Sequence, residues 1–63
     1  MRNPNRIPRI LEQLGEEWKK VPDWRLGQFL VNFLSWYGRD PFFIEDDDFI
    51  KLVQEYMEKE ITG

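Results

Sequence analysis

The residues best able to do chemistry are four consecutive acids, Glu45, Asp46, Asp47 and Asp48. Hard cations such as Mg²⁺ and Ca²⁺ take carboxylate oxygens, so the run raises the question of a metal site. Adjacent side chains converge poorly on one ion. The alternating ligands and sixth-position glycine of a calcium loop are also missing. The run is instead expected to cap a helix and place negative charge at its positive end. No metal and no cofactor are predicted.

Arg2, Arg6 and Arg9 are the complementary feature near the start of the chain. They could reach phosphates, or they could be solvated charges at a helix end. Catalysis has little to draw on. The chain has no histidine and no cysteine, and Ser35 and Thr62 are its only aliphatic hydroxyls. A nucleophile needs a base within reach, and paired carboxylates need a cleft between them. The prediction is that the chain is not an enzyme.

Those residues must be positioned by a very small fold. Sixty-three residues make one domain, 1–63, with 1–4 and 61–63 expected to be flexible. A chain of 7.7 kDa buries only about 60% of its unfolded surface, so its core is marginal. With disulfides and thiolate metal sites excluded, dense aromatic packing or self-association must supply the rest. Aromatic residues make up 16% of the chain. The net charge of −3 lacks the basic footprint usual in nucleic-acid binders. No apolar run approaches the roughly 20 residues of a membrane span. The first nine residues hold two prolines and no apolar stretch, unlike a signal peptide. A cytoplasmic location, with no membrane association, is expected.

The spacing predicts an all-α domain of three helices at about 6–21, 24–37 and 47–60, with an aromatic loop between helices two and three. In the first, Asn5 is the N-cap candidate and Pro8 suits the first turn. Ile7, Ile10, Leu11, Leu14, Trp18 and Val21 form one stripe. Glu16, Glu17, Lys19 and Lys20 are placed off it. Gly15 is taken to mark a close helix crossing, and Pro22 ends the element. Asp23 is the cap candidate for helix two. Leu26, Phe29, Leu30, Phe33 and Tyr37 form its core stripe, flanked by Leu34 and Trp36, with Trp24 and Val31 nearly opposite. Gly27 is read as a second point of close approach. Gly38 is expected to end the helix in the left-handed region. Phe42, Phe43 and Ile44 are read as an extended segment plugging one end of the core. Phe49, Ile50, Leu52, Val53, Tyr56 and Met57 give helix three its inner face, and that helix is expected to fray by Ile61.

A helix-turn-helix reading needs a recognition helix offering Arg, Lys, Asn or Gln to base edges. Arg25, Gln28 and Asn32 offer little, and helix three exposes mostly acids. The aromatic excess says more. Either it supplies core volume that a short chain lacks, or part of it forms a face for a homodimer or another protein. The candidate partner-binding residues are Trp24, Arg25, Gln28, Val31, Asn32 and Trp36.

Two segments carry a family resemblance. Residues 22–32 follow a P-D-(apolar)-R-(apolar)-G-Q-(apolar)₃-N pattern, and residues 40–47 follow D-P-F-(aromatic)-(apolar)-E-D-D/E. With the preceding I-x-x-I-L-(x)₆-W, they resemble a short family of bacterial and bacteriophage proteins, over roughly residues 6–57. The pattern has an aliphatic residue at 24 and a tyrosine at 43. Here these are Trp24 and Phe43, which keep apolar bulk. The resemblance implies no activity, cofactor or catalytic residue. It suggests one polar cluster in which Arg25 pairs with Asp40 or with Glu45–Asp48, unless those groups form a partner-binding surface. The expected function is protein–protein interaction, with a partner protein or a second copy. The alternative is a small nucleic-acid-binding protein, which would need Arg2, Arg6, Arg9, Lys19 and Lys20 on one face.

Overall fold

A computed structural model describes residues 2–62. It contains three helices and no strand among those residues: α1 (Arg6–Trp18), α2 (Leu26–Tyr37) and α3 (Asp46–Thr62), with a single 3₁₀ turn at Pro41–Phe43. The expectation of flexibility at residues 1 and 63 lies outside the described residues.

α1 begins through a tight turn. The Arg6 and Ile7 N–H groups donate to the Asn3 and Pro4 carbonyls at 3.2 and 3.1 Å. Asn5 occupies the cap position in helical conformation, and its side chain makes no cap bond. Asn3 does the local work instead, its Oδ1 accepting from the Asn5 N–H at 2.9 Å. α1 stops at Trp18, three residues short of the expected end. Pro22 disfavours helical geometry at Val21, so the last turn tightens. Lys20 and Val21 donate to the Glu17 and Trp18 carbonyls, three residues back.

α2 starts at Leu26, with Arg25 rather than Asp23 as its extended cap residue. Gln28 Oε1 accepts from the Arg25 N–H at 2.8 Å. That is half of a capping box. An arginine side chain has no acceptor and cannot complete it. Gly38 closes the helix as expected, at φ 71° with its N–H on the Leu34 carbonyl at 2.9 Å.

α3 is longer than expected at both ends, beginning at Asp46 and running through Ile61 to Thr62. The Glu45 carbonyl accepts from the Phe49 N–H at 2.8 Å, which makes Glu45 the residue that opens the helix.

α3 is the main packing partner of both other helices. Arg6 meets Asp46 at one end, while Glu17 and Lys20 share a cleft with Gln54, Glu58 and Ile61 at the other. α1 and α3 therefore run in the same direction. The core comprises Phe29, Phe33, Val53, Tyr56 and Met57, with Ile50 buried beside it. Phe33 is its hub, with ring centroids of Phe49, Tyr56, Trp36 and Tyr37 between 5.1 and 6.1 Å away. Such pairs add about 0.5–1.5 kcal/mol each beyond area burial. Trp18 Nε1 donates to the Trp24 carbonyl at 2.7 Å and fastens the first connection to the core.

Three packing expectations are corrected. Gly15 and Gly27 mark no close crossing, because a Cβ at either would meet nothing within 4 Å. Glu17 is buried rather than solvated, and Lys20 Nζ meets it at 2.9 Å. Phe42 and Phe43 do not plug the core; they stand in solvent.

The molecule measures 38 × 23 × 19 Å, with a radius of gyration of 11.9 Å. Size scaling gives about 10.6 Å for this length, so the shape is drawn out.

Candidate functional site

The charged residues singled out in the sequence come together, though not as a metal site. Arg2 meets Glu45 at 2.8 Å, Arg6 meets Asp46 at 2.6 Å, and Arg9 meets Asp47 at 2.9 Å. Arg2, Arg6 and Arg9 recur at spacings of four and three, so they rise along one side of the α1 entry. The consecutive acids at the α3 start spread to meet them. The result is a ladder of three ion pairs lining a cleft of about 250 Å³. The Arg6 hydrogen bond holds the Asp46 carboxyl below its ordinary range, against an opposing effect of desolvation. Each guanidinium neutralises a carboxylate. Among the described residues no three acidic side chains converge as metal ligands would.

This ladder corrects the expected polar cluster around Arg25. Glu45, Asp46 and Asp47, three of the acids it would have met, are taken by Arg2, Arg6 and Arg9, and Asp40 Oδ1 accepts from the Phe42 N–H at 3.0 Å. The five cations required for a nucleic-acid face also have carboxylate partners. Lys19 meets Glu16 at 3.1 Å and Lys20 meets Glu17.

Of the six candidate partner-binding residues, five are exposed and Trp24 is not. Trp24 is half-buried, its ring 6.2 Å from Phe29 in an edge-on arrangement. Trp36 is 37% exposed, covered on one side by Tyr56 at 5.4 Å and by Lys59 Nζ 5.2 Å from the ring centroid. Arg25, Gln28, Asn32 and Trp36 fall at spacings of three and four along one edge of α2 and are all exposed. Val31, 62% exposed, lies about 100° around the helix from Asn32.

The most exposed apolar side chains lie elsewhere. Phe42 is 80% and Phe43 is 82% exposed. They are held rather than frayed. Pro41 fixes the first residue of the 3₁₀ turn, Asp40 caps it, and the Ile44 N–H closes it on the Pro41 carbonyl at 3.3 Å. The two rings meet edge to face at 4.9 Å. Ile7 and Leu11 form a second exposed group, one turn apart on α1. Below them Gly15, Trp18, Lys19 and Pro22 line a shallow cleft of about 260 Å³.

The sequence signals for these surfaces were present but ambiguous. Asp40-Pro41 announces a turn but not which way its aromatic residues face. The α1 stripe spans more of the helix circumference than one neighbouring helix covers, and Gly15 lies on the outer flank of that stripe.

Comparison with protein-family models, curated proteins and solved structures finds no match.

Proposed function

We propose that this chain is a protein–protein interaction module, a small accessory protein of bacterial or bacteriophage origin acting in the cytoplasm. One observation carries the reading: two adjacent phenylalanines held in solvent by a turn braced from both ends. Burying each would gain about 1.5–3 kcal/mol, which folding leaves uncollected. Aromatic anchors of this kind dominate protein interfaces, and a preset turn lowers the ordering cost of docking. The edge of Arg25, Gln28, Asn32 and Trp36 gives a polar rim with one further aromatic. The bacterial and phage assignment rests on the resemblance of the two sequence segments.

The test compares proteins captured from the source organism by the wild-type chain and by a Phe42→Ser/Phe43→Ser variant of matched stability. The expected result is a partner retained by the first and lost by the second. Equal retention by both would remove the phenylalanine turn from the contact.

A further inference from the structure

The two halves of α1 are held by different forces. In the far half, Leu14, Trp18 and the following Val21 pack against the core. Glu17 is buried against Lys20, and Trp18 Nε1 is bonded to the Trp24 carbonyl. In residues 2–13 no described side chain joins that cluster, and Ile7 and Leu11 stand in water. This near half is fastened to α3 by the pairs Arg2–Glu45, Arg6–Asp46 and Arg9–Asp47. Arg6 beside Asp46 sets the register, which brings the half-buried Ile10 level with Ile50 one turn on.

α1 cannot supply that hold by itself. Its cap residue makes no side-chain bond, and its first turn contains no acid. Arg6 and Arg9 put positive charge at the positive end of the helix dipole, which opposes helix formation there. The counter-charges come from Glu45 and from the first turn of α3. Gly15 adds a point of low helix propensity directly after Leu14, where the two halves meet. The paired side chains are between 32% and 68% exposed. Such pairs are weak singly and are screened by salt.

We propose that residues 2–13 form an electrostatically latched strap, which opens from α3 by local unfolding up to Gly15 while the α2–α3 core stays folded. Opening strips Glu45, Asp46 and Asp47 of their partners just after the Phe42–Phe43 turn, and it uncovers Ile50, which is 3% exposed in the closed chain. Ionic strength thereby sets the charge and apolar surface next to that turn. The bearing on the turn rests on reading it as a partner contact; the opening of the strap does not.

Native-state hydrogen exchange of the full chain, followed amide by amide by NMR at about 0.01 M and about 1 M NaCl, tests the strap. Relative to their intrinsic rates, the amides of residues 10–13 should exchange at least about tenfold faster than those of Phe33, Val53 and Met57. The higher salt should speed residues 10–13 about threefold or more and leave the core amides within about twofold. Arg2→Gln/Arg6→Gln/Arg9→Gln separates a latch from an ordinary helix end. Removing cations from the positive end of a helix stabilises it unless those cations hold it in place. The latch predicts that residues 10–13 lose protection about threefold or more and no longer respond to salt, with core protection kept. Strap amides as slow as the core overturn the proposal, as does strap exchange indifferent to salt in the wild type. A variant whose strap exchange slows or stays the same overturns the latch. A variant that loses core protection as well shows one cooperative unit and overturns the strap. None of these outcomes decides whether the Phe42–Phe43 turn captures a partner.

Discussion

Phe33 and Phe42 are the same side chain in opposite surroundings. Phe33 is fully buried at the hub of the aromatic core, and Phe42 is almost fully exposed. Phe33→Ala should cost about 3–5 kcal/mol. At roughly 0.05–0.15 kcal/mol per residue the whole domain holds only about 3–9 kcal/mol, so urea titration should find this variant largely unfolded. Phe42→Ser should change stability by less than about 0.5 kcal/mol in the same titration. The glycines divide in a similar way. Gly38 takes a left-handed conformation, so Gly38→Ala should cost about 1–2 kcal/mol. Gly15 is helical with open space around it, so Gly15→Ala should raise the stability of the dilute monomer by up to about 1 kcal/mol. Gly38 was legible from its place after an apolar helix. Gly15 was misread, because a glycine on an apolar stripe marks a close contact only if a neighbour is there, and none is among the described residues.

At the scale of elements, helix identity followed from periodicity, but ends and partners did not. The effect of Pro22 on Val21 was readable, whereas the tightening of the preceding turn, in which Lys20 and Val21 close on Glu17 and Trp18, was not. The ladder of Arg2, Arg6 and Arg9 on Glu45, Asp46 and Asp47 needed one further fact, that α1 and α3 start side by side. Nothing in the spacing of either segment gives that. The Arg6–Asp46 pair of the ladder has a pH signature. The Asp46 pKa is lowered in the folded state, so the native chain binds fewer protons than the unfolded chain as pH falls through the carboxylate range. Its stabilisation is complete above the unfolded value of about 3.9 and disappears as pH drops through the folded value. Urea midpoints at pH 5 and pH 3 should therefore differ more for the wild type than for Asp46→Asn. Raising salt to about 1 M should narrow the difference, since these pairs are largely exposed. Equal pH dependence in both proteins would show that the Arg6–Asp46 pair adds nothing to stability.

At the scale of the whole molecule, the all-α class and the aromatic core could be read from composition and period, and the surfaces could not. Ile7 and Leu11 share a stripe with residues that pack, and only the position of α3 decides which of them are covered. Phe42 and Phe43 are apolar neighbours of a core segment, so burial was the natural expectation. The Asp40–Pro41 turn faces them outward instead. A chain with a marginal core has thus left several of its large apolar side chains in water and is drawn out beyond the size expected for its length. The central claim is that these surfaces serve contacts with other molecules and are not closed by the chain itself. Hydroxyl-radical footprinting read by mass spectrometry, at low micromolar concentration, measures this residue by residue. In the dilute sample Phe42, Phe43, Ile7 and Leu11 should all label strongly while Phe33 stays protected. Protection of Phe42 and Phe43 in the dilute monomer, to the level of Phe33, would contradict the account.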